Sequence, residues 1–310
     1  MKILVTGGAG FIGSAVAARL VAMGAHVVVA DNFSTGRRES VPAGVADVVE
    51  IDLSDASCYR YLPTDIDAVC HLAGQASGPA SIHIPHRDLQ WNASATLLTS
   101  EWCLAHNVRR MVHASSMAVY GQAVTTPVRE DHPRVPASHY GASKLYGEHA
   151  LAIAQQRGLS VTCLRLFSVY GPGQDLDNLS QGMVSIFLAY FLRASEVPVT
   201  GALSRVRDLV EVDDVVDAWV VAVQQHRTPS FAYNIAGGRP VTVGELLAAI
   251  QARVPRKVPI SVGEPVSTDQ RQLWADIGLA ARELGWRPKT SLERGLDRMV
   301  EWGLRTVTHE

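Results

Sequence analysis

The sequence predicts an α/β fold: a doubly wound parallel sheet with helices on both faces, followed by a smaller C-terminal lobe. In the first half of the chain, continuous apolar runs alternate with stretches at helical spacing, which is typical of a parallel sheet buried on both faces. After about Tyr170 this alternation stops, which indicates the separate lobe. The 310 residues, 47% of them hydrophobic and 19% charged, are enough to bury a core without disulfides or metals.

The first strand, the first helix and the second strand follow one another directly. KILVTGG is a short apolar run that ends in glycines. FIGSAVAARLVAMGA has apolar residues at helical spacing and closes on Gly24, and HVVVADN predicts the second buried strand. Further strands are expected within the segments VADVVEIDLSD, IDAVCHLAG, RRMVHASS and SVTCLRLFSVYG, separated by helices that include 88–106 and 140–157.

The segment GPGQDLDNLSQG, which follows Tyr170, crowds Gly, Pro, Asp and Asn together and therefore predicts a loop. A helix over Met183 to Ala194 and shorter mixed elements come next. We therefore divide the chain into a sheet domain over 1–170 and a lobe over 171–310, some segments of which return to the sheet.

The charge and the apolar runs indicate where the protein works and what it does not bind. The formal net charge is −2 with no basic run, so we expect neither a nucleic acid nor a membrane surface as partner. No apolar run reaches the ~20 residues of a membrane span, and MKILVTGG leads into a strand pattern rather than a signal peptide. The four cysteines form no C-x-x-C pair and are expected to be buried thiols, which favours a cytoplasmic protein.

A glycine motif between the first strand and the first helix predicts a dinucleotide site of the Rossmann type. Gly7, Gly10 and Gly13 give the pattern T-G-x-x-G-x-x-G. The first glycine permits a tight turn, the second lets the backbone approach a pyrophosphate, and the third lets the helix pack closely on the strand. The N–H groups at the start of the helix are then free to bind phosphate.

The following strand ends predict the rest of the cofactor site. Asp31 has the ~20-residue spacing expected of a carboxylate on the adenosine ribose, and its charge favours NAD over NADP. Arg37 and Arg38 lie nearby and could accept a 2′-phosphate, so NADP stays open. Asp52 and its neighbour Leu53 could border the adenine, although DLSD is equally good turn chemistry.

A Tyr–Lys pair and an upstream serine predict redox chemistry on an alcohol. Tyr140 and Lys144 in YGASK lie on one face of a helix. A nearby ammonium stabilises a phenolate, which could take a proton from a hydroxyl while hydride leaves the same carbon. Ser116, in SSMAVYG, could hydrogen-bond that oxygen. The three residues therefore predict an enzyme.

Taken together, the motifs resemble those of the extended short-chain dehydrogenases that modify nucleotide sugars, the NAD-dependent epimerase/dehydratase family. The glycine motif, SSMAVYG, YGASK, LFSVYGPGQ and RDLVEVDDVV carry the resemblance over nearly the whole chain. The resemblance implies that 1–170 is an NAD-binding Rossmann domain and 171–310 mainly a substrate-binding lobe. It also implies Ser116, Tyr140 and Lys144 as the catalytic triad. The substrate would be a nucleotide sugar, most simply a UDP-hexose or UDP-N-acetylhexosamine, oxidised transiently at C4.

The resemblance also supplies the remaining site residues. Arg207 and Arg271 would match the arginines that clamp the diphosphate, with surface ion pairs as the alternative. With the residues argued above, the expected cofactor contacts are Gly7, Gly10, Phe11, Ile12, Gly13, Asp31, Asn32, Ser34, Gly36, Asp52, Leu53, Leu72, Ala73, Gly74, Tyr140, Lys144, Phe167 and Val169. The expected substrate contacts are Gln75, Met117, Ala118, Asn178, Arg207 and Arg271.

Met117 and Ala118 bear on which reaction follows C4 oxidation. In the 4,6-dehydratases of this family an Asp–Glu pair occupies these two positions, and neither side chain here can move a proton. A 4-epimerase needs no such pair and is therefore preferred. A 5,6-dehydratase that leaves a 5,6-unsaturated sugar, as in nucleoside antibiotic biosynthesis, is the alternative. A non-catalytic NAD sensor is a more distant one. Met117 could either shape the pocket or fill the core.

Two further expectations concern metals and assembly. His71, His83, His86 and His113 are scattered without ligand spacing, so no metal is expected, and His113 is expected to be a core histidine with satisfied hydrogen bonds. The helix from Tyr140 and the helix over 88–106 could pair with their copies in a four-helix bundle. That arrangement is the homodimer usual in the family that the chain resembles.

Overall fold

The structure, a computed structural model, describes residues 1–264 and 272–308. The strands of the described residues are β1 (Lys2–Thr6), β2 (His26–Asp31), β3 (Asp47–Glu50), β4 (Ala68–His71), β5 (Arg110–Ser116), β6 (Ser160–Leu166), β7 (Ser168–Tyr170), β8 (Val197–Thr200), β9 (Val206–Arg207), β10 (Leu209–Glu211), β11 (Ala232–Ile235), β12 (Val241–Thr242) and β13 (Ile260–Gly263).

Helices connect most of these strands. The α-helices are α1 (Phe11–Ala22), α2 (Gly78–His83), α3 (Pro85–Asp88), α4 (Ala95–Ala105), α5 (His139–Gln156), α6 (Met183–Arg193), α7 (Val212–Gln224), α8 (Val243–Gln251), α9 (Gly278–Glu283) and α10 (Leu292–Thr308). Short 3₁₀ helices cover Arg38–Ser40, Ala56–Tyr61 and Met117–Tyr120, and a π-helical turn covers Leu89–Ser94. No helix of the described residues is long and apolar enough to cross a membrane.

The main sheet has seven parallel strands in the order β11-β6-β5-β4-β1-β2-β3. The strand order reverses between β1 and β4, because the chain first builds outward through β2 and β3 and then returns to the other side of β1. In sheets of this kind a ligand crevice forms at the carboxyl ends of the strands beside that reversal. The predicted doubly wound α/β fold is therefore confirmed.

Helices cover both faces of the sheet. Ile3 of β1 packs on one face with Val16 of α1 and Trp219 of α7. Leu4, the next residue, points to the other face, where Trp102 of α4 and Leu151 of α5 are buried. Successive residues of a strand point to opposite faces, so an apolar run without alternation is what a sheet covered twice requires.

The helix predicted over 88–106 is interrupted, whereas α5 follows its prediction closely. A π-helical turn separates α3 from α4, and within it the Asn92 side chain donates a hydrogen bond to the Asp88 carboxylate at 3.0 Å. Turns of this kind widen the backbone locally and are frequent at functional sites. Helical spacing of apolar residues does not report such a local change, so the prediction missed it.

The C-terminal part of the chain has a core of its own and also adds one strand to the sheet. Phe191 of α6, Leu247 of α8 and Met299 of α10 are buried together. Strand β11 lies beside β6 at the edge of the sheet. Its Asn234 accepts a hydrogen bond from the Tyr120 hydroxyl at 2.6 Å and donates through its side chain to the Val128 carbonyl at 3.0 Å. The backbone N–H of Asn234 donates to Glu130 at 2.9 Å.

Candidate active site

The glycine-rich turn between β1 and α1 is packed too closely for side chains. Gly7 has φ of +68°, and a Cβ placed there would lie 2.6 Å from the backbone nitrogen of Ala73. A Cβ at Gly13 would lie 2.0 Å from the carbonyl oxygen of Gly7. The turn therefore keeps an open backbone surface at the carboxyl end of β1, where a dinucleotide pyrophosphate fits.

Asp31 ties this turn to the end of β2. One carboxylate oxygen accepts a hydrogen bond from Ala9 N–H at 2.9 Å, and the other accepts from Phe33 N–H at 2.9 Å. Each carboxylate oxygen has further acceptor capacity, so the group could still bind ribose hydroxyls. Asp31 also lines the cleft at the carboxyl ends of the strands.

The cleft at the carboxyl ends of β1, β2 and β4 brings together most of the cofactor residues predicted from the sequence. Gln75, predicted as a substrate contact, borders this cleft too, and its side-chain amide donates to the Ser77 carbonyl at 2.7 Å. The predicted cofactor residues that line the cleft are Gly7, Gly10, Asp31, Asn32, Ser34, Gly36, Asp52, Leu53, Leu72, Ala73 and Gly74. The Asp52 carboxylate also accepts from Ser54 N–H at 2.9 Å, so it serves the turn as well.

Six residues that line the cleft were not predicted from the sequence. Trp91 and Ala95 are four residues apart and so share one helical side, yet neither carries a recognisable motif. Trp91 also lies under the Arg87 guanidinium, 5.8 Å from the ring centroid. The other missed residues are neighbours in sequence of predicted ones, namely Ala30, Thr35, Ile51 and Ser54.

Several predicted cofactor residues lie elsewhere. Ile12 packs against the core on the α1 side of the sheet, and Val169 packs against the same cluster. Phe167 is buried with its ring 6.4 Å from that of Tyr120. Phe11 approaches Gly173, which belongs to the loop after β7. Direct contact of these residues with a cofactor remains a prediction. The same holds for Gly13, which packs against the backbone of Gly7 within the turn.

Both arginines that left NADP open are engaged in ion pairs. Arg37 lies 3.3 Å from Asp175 and 3.4 Å from Asp177. Arg38 pairs with Glu50 and lies over the Phe33 ring, 4.2 Å from its centroid. Carboxylates that already hold these guanidinium groups compete with a 2′-phosphate, and Asp31 repels one. The arrangement favours NAD.

Ser116 and Tyr140 meet where β5 and α5 approach each other. Ser116 ends β5, and its hydroxyl oxygen accepts from Ala118 N–H at 3.1 Å. The Ser116 side chain also acts on the Tyr140 phenol and lowers its pKa. A Cβ at Gly141 would lie 2.5 Å from the Ala118 carbonyl oxygen, so a glycine is needed for α5 to come this close.

Burial disfavours the ionised forms of both Tyr140 and Lys144, so it shifts their pKa values in opposite directions. Burial of the phenol raises the pKa of Tyr140 to about 12, and the Ser116 side chain opposes that rise. Burial lowers the pKa of Lys144 to about 8, and the Asp88 carboxylate opposes that fall. The Lys144 ammonium lies 5.9 Å from the Tyr140 ring centroid. A cation held this close favours the phenolate.

Met117 and Ala118 form the turn directly after Ser116. Met117 is half-buried and packs against the cluster that contains Phe167, Leu273 and Ala275. It therefore fills core space, while the exposed part of its side chain remains available to border a ligand. Neither Met117 nor Ala118 supplies a proton donor or acceptor at the end of its side chain.

The other predicted substrate residues lie in or beside the lobe. Asn178 accepts from Ser180 N–H at 3.0 Å and so caps its own loop. Arg207 is buried in β9, where one guanidinium nitrogen donates to the Val206 carbonyl at 2.9 Å. Arg271 lies outside the described residues. Contact of these side chains with a substrate remains a prediction.

The expectation for His113 was wrong. The ring is buried and stacked against His71, with 5.5 Å between centroids, but neither ring nitrogen has a hydrogen-bond partner. Burial lowers the pKa of His113 well below its ordinary value, so the ring is neutral. Apolar neighbours on β5 were mistaken for evidence of satisfied polar atoms. Among residues 1–264 and 272–308 there is no group of three His, Cys, Asp or Glu side chains that could hold a metal ion.

Comparison with known proteins agrees with this geometry. The chain is 34% identical to a UDP-glucose 4-epimerase of Mycolicibacterium smegmatis, over 97% of this chain and 98% of the relative. It superimposes with a TM-score of 0.93 on the crystal structure of UDP-glucose 4-epimerase from Thermotoga maritima with UDP-glucose, at 34% identity over 99% and 100% of the two chains.

A second solved structure has a different named activity. It is TunA, an NAD-dependent NDP-hexosamine 5,6-dehydratase involved in tunicamycin biosynthesis, with a TM-score of 0.88 and 32% identity over 98% of both chains. The model of the NAD-dependent epimerase/dehydratase family matches residues 3–236. The match covers the glycine turn, the Asp31 site and the Ser116–Tyr140–Lys144 group, and the chain therefore belongs to the NAD-dependent epimerase/dehydratase family.

Proposed function

We propose that this protein is an NAD-dependent 4-epimerase of a nucleotide sugar, with a UDP-hexose or a UDP-N-acetylhexosamine as substrate. The observation that carries the proposal is the placement of Ser116 at the end of β5 and of Tyr140 and the buried Lys144 four residues apart on α5, with Met117 and Ala118 in place of a carboxylate pair. The relatives named as UDP-glucose 4-epimerases support the choice of nucleotide and reaction.

The cradle beside β1 suits NAD. Because Gly7 and Gly13 carry no side chains, only backbone atoms of the turn would face the pyrophosphate. The Asp31 carboxylate lines the cleft, where it could bind the adenosine ribose. Bound there, NAD would supply a reversible hydride acceptor for the sugar carbon, and its positively charged ring would favour the Tyr140 phenolate.

Tyr140 is proposed as the group that moves the proton. As a phenolate it takes the proton of the sugar 4-hydroxyl and, when the 4-keto sugar is reduced, gives it back. Lys144 holds the phenolate through its charge, and Ser116 hydrogen-bonds the same sugar oxygen. Protons and electrons therefore balance within one turnover, because the oxidation and the reduction use the same tyrosine and the same cofactor.

The turn after β5 is proposed to leave the 4-keto sugar intact. An elimination of the usual 4,6 kind needs an acid for the C6 hydroxyl and a base for the C5 proton. The side chains at 117 and 118 can supply neither. A sugar that is not trapped by elimination can rotate and accept the hydride on its other face, which inverts C4.

The proposal is tested by NMR of the product formed from UDP-hexoses and from UDP-N-acetylhexosamines with the purified protein. An inverted C4 with both C6 protons retained is the expected result. A matched incubation with the Tyr140→Phe variant controls for spontaneous change. Failure of every substrate to change at C4 would contradict the proposal.

A second candidate is favoured by one observation, the similarity to TunA at 32% identity over 98% of both chains. In that case C4 oxidation acidifies the C5 proton, the C6 hydroxyl departs, and returned hydride leaves a 5,6-unsaturated sugar. The same NMR experiment separates the two candidates, because vinyl protons at C6 identify the dehydratase. A non-catalytic NAD sensor is distinguished by Tyr140→Phe, which abolishes turnover in an enzyme but leaves a sensor's response intact.

We further propose a homodimer formed by α5 and the helical segment over 88–106. In these two segments Leu89, Tyr146 and Ile153 are 51%, 46% and 58% exposed, although all three are large and apolar. Exposed apolar residues that share one surface are typical of an interface. A cytoplasmic location is proposed with it, because all four cysteines are free thiols, as a reducing compartment would keep them.

A further inference from the structure

Asp88 is a buried carboxylate that the proposed mechanism does not use. It ends α3 and is 0% exposed. In the described part of the chain its hydrogen bonds come from two neutral groups. The Ser143 hydroxyl lies 3.0 and 3.4 Å from its two oxygens, and the Asn92 amide lies 3.0 Å from one of them. A buried charge held only by neutral donors costs free energy, so a nearby cation is expected to stabilise it.

Ser143 and Asn92, the two hydrogen-bond partners of Asp88, both lie close to Lys144. Ser143 directly precedes Lys144 in α5, and its hydroxyl also donates to the Tyr140 carbonyl at 3.0 Å. The Asn92 amide nitrogen is held by Asp88, which directs the amide oxygen toward Gly74. A Cβ at Gly74 would lie 2.3 Å from that oxygen and 3.4 Å from the Lys144 ammonium. The oxygen is buried and has no hydrogen-bond partner.

The charges around Asp88 are arranged on α5. Burial raises the pKa of Asp88, and its hydrogen bonds, the Lys144 ammonium and His139 oppose that rise. In return, Asp88 raises the pKa of Lys144 and that of Tyr140. His86, on the same helix as Asp88, lines a surface groove with His139 and Ser143. Asp88 is thus a negative charge that acts on both members of the catalytic pair.

We propose that Asp88 is a positioning residue, the buried counter-charge that keeps Lys144 an ammonium and holds Asn92 in place beside it. Asp88 acts through Lys144 and Tyr140 and touches neither substrate nor cofactor. This proposal rests on the proposed function only for the catalytic role of that pair. The hydrogen bonds from Ser143 and Asn92 place Asp88 close to Lys144 whatever that pair does in catalysis.

Asp88→Asn removes the charge and preserves the shape. Without the carboxylate, Tyr140 and Lys144 both lose their protons at lower pH. The two limbs of the pH–rate profile are therefore expected to move together toward acid, by about one pH unit. Asp88→Glu keeps the charge and should return the limbs toward their original positions. The matched control is Ser143→Ala, which removes one hydrogen bond to Asp88 and keeps its charge, so its limbs stay in place.

A second measurement does not depend on turnover. The ionisation of Tyr140 is followed by the ultraviolet absorbance of its phenolate. The absorbance of a matched protein with Tyr140→Phe is subtracted at each pH, for the original chain and for Asp88→Asn alike. The midpoint of that difference is expected to fall by about one pH unit in Asp88→Asn. If Asp88→Asn does not fold, Asp88→Ser, a smaller neutral side chain, carries the same expectation.

The outcomes are separable. A lower maximal rate with both limbs and the phenolate midpoint unmoved would overturn the proposal and leave Asp88 a merely structural residue. Limbs that move in opposite directions would overturn it as well. A shifted phenolate midpoint in a protein that turns over no nucleotide sugar would support the charge relation while the proposed function fails.

Discussion

Arg37 and Asp175 are joined by an ion pair of 3.3 Å that links the loop after β2 to the loop after β7. Asp177 reinforces the pair from 3.4 Å and is itself held by Arg193 at 2.6 Å. Arg37 follows Gly36, which lines the dinucleotide cleft. The pair therefore connects the edge of the cleft to the lobe.

Loss of this connection should speed the release of NAD. Arg37→Ala is expected to raise the dissociation rate about two- to fivefold, because exposed ion pairs contribute at most about 1 kcal/mol. The difference should fade at high salt, which screens exposed charges. Release is measured by stopped-flow fluorescence of bound NADH. Arg38→Ala, which breaks the pair with Glu50 instead, is the control, and an equal effect of both variants would contradict the prediction.

Removal of the Asp31 carboxylate should weaken NAD binding more strongly. Asp31→Ala is expected to raise the Kd for NAD about 10- to 100-fold, because a charged acceptor is lost from Ala9 N–H and the glycine turn is no longer held. Calorimetric titration measures the change. Asp55→Ala is the matched control, since that carboxylate caps the short helix at Ala56–Tyr61 by accepting from Ser57 N–H at 2.8 Å. An unchanged affinity in Asp31→Ala would refute the assignment.

The phenol of Tyr140 should be essential for turnover but not for cofactor binding. Tyr140→Phe is expected to lower kcat by about 10²- to 10⁴-fold, because the group that transfers the proton is gone. Ser116→Ala, which removes a hydrogen bond, should have a smaller effect. Steady-state rates with the nucleotide sugar identified by NMR are compared with the amount of NAD retained. Substantial activity in Tyr140→Phe would argue against the mechanism.

The buried ion pair between Glu148 and Arg165 should contribute strongly to stability. The two side chains are 1% and 3% exposed and lie 2.8 Å apart. Glu148→Gln is expected to lower the free energy of unfolding by about 3–5 kcal/mol, because Arg165 is left buried without its partner. Arg134→Ala removes the more exposed second partner of Glu148 and should cost less than about 1 kcal/mol. Urea unfolding measures both changes.

The same pair has a pH dependence with a definite sign. Arg165 and Ser115 outweigh burial and lower the pKa of Glu148 below its ordinary value of 4.5. The stabilisation is therefore fully present above the unfolded-state pKa and is lost as the pH falls through the lower folded-state value. Glu148→Gln should flatten the fall of unfolding free energy in this acidic range. An identical acid dependence in both proteins would contradict the assignment.

Charges placed on the exposed side of α5 should separate the proposed dimer. Tyr146→Glu combined with Ile153→Glu is expected to give a monomer, because two exposed apolar side chains of the proposed interface are replaced by carboxylates. Light scattering coupled to size exclusion measures the mass. Val124→Glu, at a position 78% exposed and outside both helical segments of the proposed interface, is the control. A dimer that survives the double substitution would place the interface elsewhere.

The parts of the site that depend on local sequence were predictable. Gly7 and Asp31 are set by the ends of two adjacent strands, and Tyr140 and Lys144 by one helical turn, so spacing alone was informative. Asp88 was not predictable, because its partner Ser143 is 55 residues away in sequence. The same holds for Arg37 and Asp175, which are 138 residues apart, because polar pairs across a fold leave no periodic pattern.

The fold was predictable where apolar runs dominate. Continuous runs such as HVVVADN gave the covered sheet, because burial on both faces removes alternation. The π-helical turn at Leu89–Ser94 was missed, since it changes local hydrogen bonds without changing the apolar spacing. The free ring nitrogens of His113 were missed for a related reason. Neighbouring residues show burial but not which polar atoms find partners.

The return of β11 to the main sheet limits how relatives of this protein can exchange parts. Asn234 is hydrogen-bonded to Tyr120, Val128 and Glu130. A recombination event that replaces everything after residue 170 therefore replaces Asn234 but keeps its three partners. A hybrid would inherit foreign specificity together with a mismatched edge strand. Natural or engineered chimaeras of this chain should therefore tolerate crossovers best when the segment around Tyr120–Glu130 travels with β11.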